Sequence, residues 1–295
     1  MTRHLLDLDD LSPAELAEVI AAADSPAAPV LAGRGVALVF EKPSARTRNA
    51  TEMAVVQLGG HPVTQRGEEL GIDVRETAED VARTLACYHA VICGRVFDHT
   101  TLVRMAAAGG VPVLNLLSDH AHPCQAIADL LTLRDHFGRL EGLRVGYVGD
   151  WNNVARSLGL ALGMSGASLS LGCPKGYGPD EVALDQLATV GASPRLHHRP
   201  EEAVAGADAV YTDVWTSMGA EGEADQRRRA FEGWTVTPAL MAGASPDAVF
   251  LHCLPAHRGE EVDTAVLEGS SSLVWPQAAN RLHAARGVLR WLVSE

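Results

Sequence analysis

The chain has 295 residues, 47% hydrophobic and 21% charged, which is too long for one ordinary core and too apolar for disorder. Its formal charge of −13, from 37 acids against 24 bases, argues against a general affinity for nucleic acid, because the surface as a whole repels a polyanion. An acidic chain that handles an anionic substrate must gather its arginines locally. Five cysteines, an odd number with no C-x-x-C pair, fit reduced thiols rather than a disulfide framework. The first residues turn acidic at Asp7 where a signal peptide would become apolar, and no run approaches the roughly 18 apolar residues of a membrane span. A cytoplasmic protein without a membrane partner is expected.

Ser12-Pro13 opens a helix over 12–23, with Leu16, Val19 and Ile20 at helical spacing. Residues 36–40 read as a strand that feeds Ser44-Ala45-Arg46-Thr47-Arg48 and a helix to about residue 58, ended by Gly59-Gly60. A short strand at 62–64 and a polar loop at 66–75 follow. A capped helix after Thr77 then places Val81, Leu85 and Tyr88 on one stripe. Strand 90–93, helix 99–108, strand 111–114, a loop at 116–122 and a long helix 123–137 complete the first half. Beyond the connector 138–142 the alternation restarts: strand 144–148, helix 153–164, strand 168–171, helix 180–190, a weak strand at 195–197, helix 200–205 and strand 209–212. A loop at 218–223, helix 238–242, a strand to residue 251, a short strand 273–275 and a final helix 277–292 end the chain. Such alternation predicts an α/β protein with two doubly wound parallel-sheet domains joined by interdomain helices. The boundaries are set at 1–137 and 138–276, with 277–295 returning to the first domain.

Several strand ends carry chemistry. Ser44 to Arg48 sits at a strand-to-helix junction, where free N–H groups, Ser44, Thr47 and Arg46 suit a phosphate; a Ser-capped helix with solvated arginines is the alternative. Arg95 follows the strand ending at Cys93-Gly94. His122-Pro123-Cys124-Gln125 begins the long helix, where the dipole disfavours an imidazolium and a neutral His122 can donate to a carbonyl oxygen. The alternation of His120, His122 and Cys124 is broken by the helix, so a metal site is not expected. Gly149-Asp150-Trp151-Asn152-Asn153 lacks the glycines of a dinucleotide fingerprint, which argues against NAD and leaves Asn153 as an amide for a small polar ligand. Asp213 could receive an ammonium, with Ser217 nearby, and Arg281 lies in the last helix. Cys253, in His252-Cys253-Leu254-Pro255, follows an apolar strand, where parallel sheets bind ligands; an inert buried thiol is the alternative.

In order and spacing, Ser44-x-Arg46-Thr47-Arg48, Arg95, His122-Pro123-x-Gln125, Asp150-x-Asn152-Asn153, Asp213-x-x-x-Ser217-Met218-Gly219, the 252–259 segment and Asn280-Arg281-Leu282-His283 closely resemble the ornithine carbamoyltransferases. The resemblance implies a carbamoyl phosphate domain followed by an ornithine domain, no metal or organic cofactor, and a homotrimer or a multiple of trimers. It implies that Ser44, Ala45, Arg46, Thr47, Arg95, His122, Gln125, Cys253, Leu254 and Arg281 hold carbamoyl phosphate. Asn153, Asp213, Ser217 and Met218 would hold L-ornithine, and Arg46, Arg95, His122 and Cys253 would carry the catalysis.

Three positions depart from the family pattern: Ala45 in place of Thr, Glu69 in place of Gln or His, and Ala279 in place of Glu. Rival readings are a carbamoyltransferase for another amine (putrescine, lysine or an acylated ornithine) and a non-catalytic regulatory relative.

Overall fold

A computed structural model describes residues 2–216 and 221–294. The chain divides into two compact units, Met1–Ala128 with Ala279–Glu295 and Asp129–Ala278.

The first unit is built on a four-stranded parallel sheet of β1 (Gly35–Phe40), β2 (His61–Arg66), β3 (His89–Arg95) and β4 (Val113–Leu117), in the order β2-β1-β3-β4. Its central strands, β1 and β3, are buried along nearly their whole length, as expected of strands covered on both faces. Ala37, Val39 and Ile92 pack with Val81 and Leu85 of helix Ala78–Ala86 and with Leu102 and Met105 of helix His99–Gly109. A Cβ at Gly94 would fall 2.4 Å from a terminal methyl of Leu102, so the glycine leaves room for that side chain to pack directly on β3. Tyr88 does not share the buried stripe: the helix ends at Ala86 and Tyr88 is 72% exposed.

The second unit carries a five-stranded parallel sheet of β5 (Arg144–Val148), β6 (Ser168–Gly172), β7 (Arg195–His197), β8 (Ala209–Thr212) and β9 (Val249–His252), ordered β7-β6-β5-β8-β9. Val148, Val210 and Phe250 lie in one core cluster with Trp215, Phe231 and Trp234. Both sheets are doubly wound, and each reverses direction at one place, between β1 and β3 in the first and between β5 and β8 in the second. Ligand sites of open α/β sheets form at such reversals, beyond the carboxyl ends of the strands.

The strand expected at 273–275 is instead the start of helix Val274–Val293, with Pro276 in its first turn, where a missing N–H costs nothing. The polar loop at 66–75 holds a short helix, Gly67–Leu70, and the span after 220 holds helix Ala224–Ala230, whose charged sequence has no apolar stripe to reveal it. Ser217, Met218 and Gly219 lie outside the described residues. No helix among the described residues is long and apolar enough to cross a membrane.

Candidate active site

In the first unit, the two strands at the reversal deliver the predicted anion-binding residues. Phe40 and Arg95 are in register at the ends of β1 and β3. The chain leaves β1 into Ser44, whose hydroxyl accepts from Thr47 N (3.2 Å) and so caps helix Ala45–Gln57. The Ser-cap reading and the anion-site reading therefore coexist, because one hydroxyl satisfies one of the several free N–H groups at that end. Ser44 and Ala45 also line an open cavity of about 670 Å³, with Arg48, Glu52, Thr64 and Arg66 on its other walls.

Behind this helix end lies a buried polar cluster. Arg281, 5% exposed, donates to Thr47 Oγ1 (2.8 Å) and to Gln125 Oε1 (2.5 Å), tying the last helix to two of the predicted contacts. His122 is 4% exposed at the start of helix Pro123–Phe137, and its carbonyl accepts from Gln125 N and Ala126 N. Its basicity is held well below the usual imidazole value, first by burial and then by the guanidinium groups of Arg281, Arg95 and Arg46. The expected neutral histidine is thus present, but burial and converging cations are the leading causes. Three guanidiniums acting on one neutral ring create a strongly positive field, suited to a small anion and hostile to a metal cation. Arg95 is buried, whereas Arg46 is exposed at the helix end.

Glu69 is engaged locally. Its carboxylate accepts from Arg66 N (3.1 Å), closing the first turn of helix Gly67–Leu70.

In the second unit the reversal between β5 and β8 positions a different chemistry. Val148, Thr212 and His252 are aligned across β5, β8 and β9, so the residues that follow them leave the sheet side by side. Asp213, 5% exposed, accepts from Asn152 Nδ2 (2.8 Å) through Oδ2, and from Val214 N (2.8 Å) and Cys253 Sγ (3.0 Å) through Oδ1. Asn152 also caps helix Asn153–Met164, accepting from Val154 N and Ala155 N, which leaves Asn153 as the first helical residue. A carboxylate in contact with a thiol and with the Asn152 amide has the donor and acceptor types that suit a cationic or amine-bearing ligand.

Two supports went unrecognised in the sequence. His252 Nδ1 accepts from Leu254 N (2.9 Å), so the ring proton sits on Nε2, which donates to Glu261 Oε1 (3.1 Å); both side chains are fully buried. This pair holds Leu254 at a φ of +61°, a left-handed conformation costly for a branched side chain. Nearby, Arg227 donates to Asp150 Oδ2 (2.7 Å) and Trp215 O (3.0 Å), while burial raises the Asp150 carboxyl against the opposing pull of Arg227. Asp213, His252 and Cys253 bring a carboxylate oxygen, a ring nitrogen and a sulfur within 4.8 Å of one another, a possible donor set for a cation. Both ring nitrogens of His252 are already committed, which leaves that set short of its imidazole.

The chain is thus an α/β protein of two parallel-sheet units, with clustered arginines suited to an anion at the carboxyl end of one sheet and a carboxylate–thiol pair suited to an amine at that of the other, the donor types a group-transfer enzyme needs. Residues 3–135 match the family model "Aspartate/ornithine carbamoyltransferase, carbamoyl-P binding domain", and residues 141–292 match "Aspartate/ornithine carbamoyltransferase, Asp/Orn binding domain". The ornithine carbamoyltransferase of Acidothermus cellulolyticus is 48% identical over 99% of this chain and 97% of its own. The solved ornithine carbamoyltransferase of Pyrococcus furiosus superposes with a TM-score of 0.92 at 43% identity, covering 98% of this chain and 96% of that one. That of Thermus thermophilus gives 0.91 at 42% identity, with complete coverage of both. The chain belongs to the aspartate/ornithine carbamoyltransferase family.

Proposed function

We propose that this chain transfers the carbamoyl group of carbamoyl phosphate to the δ-amine of L-ornithine, giving L-citrulline and phosphate. Full-length relatives at 42–48% identity that bear the name ornithine carbamoyltransferase support this reading. The observation that carries it is the buried Asp213 carboxylate in contact with the half-buried Cys253 thiol and with Asn152, a setting for an amino-acid amine rather than for a second anion.

Ser44, Ala45, Arg46 and Thr47 at the helix end, with Arg95, Gln125 and Arg281, hold the phosphate and carbamoyl groups, and the Cys253-Leu254 segment contributes to the same substrate. Neutral His122, with Arg46, stabilises the carbonyl oxygen as it gains charge, a role typically worth about 3 kcal/mol per donor. Asn153, Asp213, Ser217 and Met218 hold ornithine, and Cys253 orients its attacking nitrogen. The free amine forms a C–N bond to the carbamoyl carbon. The tetrahedral intermediate then breaks its C–O bond to phosphate, and the proton lost by the nitrogen leaves on that phosphate. Arg46 and Arg95 take up the charge that grows on it. No covalent cysteine intermediate is required, since an amine is itself a competent nucleophile.

Exposed Met53 and Val56, one turn on from the cavity-lining Asn49 and Glu52, support assembly through this helix, and a homotrimer in the cytoplasm is the arrangement proposed. Incubation with carbamoyl phosphate and ornithine, scored for citrulline and phosphate, tests the function. Putrescine, lysine and an N-acylated ornithine serve as competing acceptors. Absence of citrulline, faster turnover of another amine, or a phosphate burst without ornithine would overturn the reading or its mechanism.

A further inference from the structure

β9 is the outer strand of its sheet, with β8 on one side only. On the open side the N–H of Phe250 donates to Ser271 O (2.9 Å), and Leu273 N donates to Phe250 O (2.8 Å), so the segment 271–273 serves as a partial neighbouring strand. Two residues on, His252 N faces the same way, because alternate residues of a strand direct their N–H groups to the same side. The chain has by then turned into helix Val274–Val293, and no backbone carbonyl takes that place. Gln277 Oε1 accepts from His252 N (2.9 Å) instead. The same amide donates from Nε2 to Asp129 Oδ1 (2.7 Å) and to Tyr211 OH (3.2 Å), and all four residues are essentially without solvent exposure. A backbone N–H can only donate and a carboxylate only accept, so the amide has one satisfactory orientation.

From this geometry we infer that Gln277 is a positioning residue for carbamoyl transfer. Its side chain is the last rung of β9, and it holds the backbone immediately before Cys253 so that the thiol meets Asp213. The inference rests on the reading of Cys253 given above. A buried amide held at three points resists displacement in every direction its partners define, whereas a strand end lacking this rung would be free to shift. Displacements of about 1 Å at a reacting group cost on the order of a hundredfold in rate.

The test compares citrulline formation and thermal unfolding in wild type, Gln277→Met, Gln277→Glu, Tyr211→Phe and Cys253→Ala. Gln277→Met keeps the volume and removes every hydrogen bond. It should lower kcat about a hundredfold while changing the KM for carbamoyl phosphate less than about twofold. Gln277→Glu retains an acceptor for His252 N and can share one proton with Asp129, so it should restore most of the lost kcat. Tyr211→Phe removes one of the three anchors of the amide but leaves the His252 rung in place, and should lower the melting temperature while costing far less kcat than Gln277→Met. If Gln277→Met does not fold, Gln277→Asn, one methylene shorter, withdraws the amide and should show the same loss. Wild-type kcat in a folded Gln277→Met or Gln277→Asn, or a kcat loss in Tyr211→Phe as large as that in Gln277→Met, overturns the role of Gln277. Full activity in Cys253→Ala shows instead that the cysteine reading has failed, and removes the reason for positioning it.

Discussion

Replacement of His122 by asparagine tests whether burial and three guanidiniums hold this ring neutral. In the folded chain its pKa lies well below 6.5, whereas an unfolded histidine titrates near 6.5. Below that value the unfolded state therefore binds the extra proton. The His122 contribution to stability is complete above pH 6.5 and is lost as pH falls, with a limiting slope of about 1.4 kcal/mol per pH unit. Integrated from neutrality to pH 5, the loss reaches at most about 2 kcal/mol, a large share of a typical total of about 5–15 kcal/mol. The ring is only 4% exposed, so solvent screening does little to reduce this. Urea unfolding midpoints of wild type and His122→Asn between pH 5 and 8 provide the assay. His4 and His89, also lowered by burial, contribute equally to both proteins and cancel in the difference. Wild type should lose more stability than the variant on acidification, and the difference should shrink in an Arg281→Met background, because Arg281 is the strongest of the three cationic influences. Parallel curves for the two proteins would refute the argument.

Arg46→Ala should weaken carbamoyl phosphate binding by roughly tenfold to a hundredfold, the worth of a charge-assisted hydrogen bond to phosphate, and unchanged affinity by calorimetry would remove Arg46 from the site. Asp213→Asn keeps the shape of the side chain but not its charge; the KM for ornithine should rise by a similar factor with carbamoyl phosphate binding intact, and an unaltered ornithine KM would contradict the amine pocket. Arg227→Met leaves Asp150 buried without its cation and should cost about 3 kcal/mol at neutral pH, less in acid where the raised Asp150 carboxyl takes up a proton. A stability change below about 0.5 kcal/mol in urea would show that pair to be dispensable. The wild-type rate should climb into the alkaline range as the free δ-amine accumulates, and a flat profile from pH 6 to 9 would count against amine attack.

Local sequence alone determined the strand and helix alternation, and with it both parallel sheets, because apolar runs of strand length and capped amphipathic segments are short-range signals. It also singled out Ser44, Arg46, Arg95, His122, Asp213 and Cys253, since each follows a strand or opens a helix, where parallel sheets expose functional groups. It misread 273–275, where a Val-Trp pair looks like a strand until the following proline is seen to open a helix. Tertiary structure alone decided which long-range partners complete these groups. Arg281 reaches Thr47, 234 positions away, and Gln277 reaches Asp129, 148 positions away; a separation in sequence carries no signal of a hydrogen bond. Tertiary structure also decided why His122 is neutral: the helix end was visible in the sequence, but burial and the convergence of arginines from three separate segments arise only when the chain is folded.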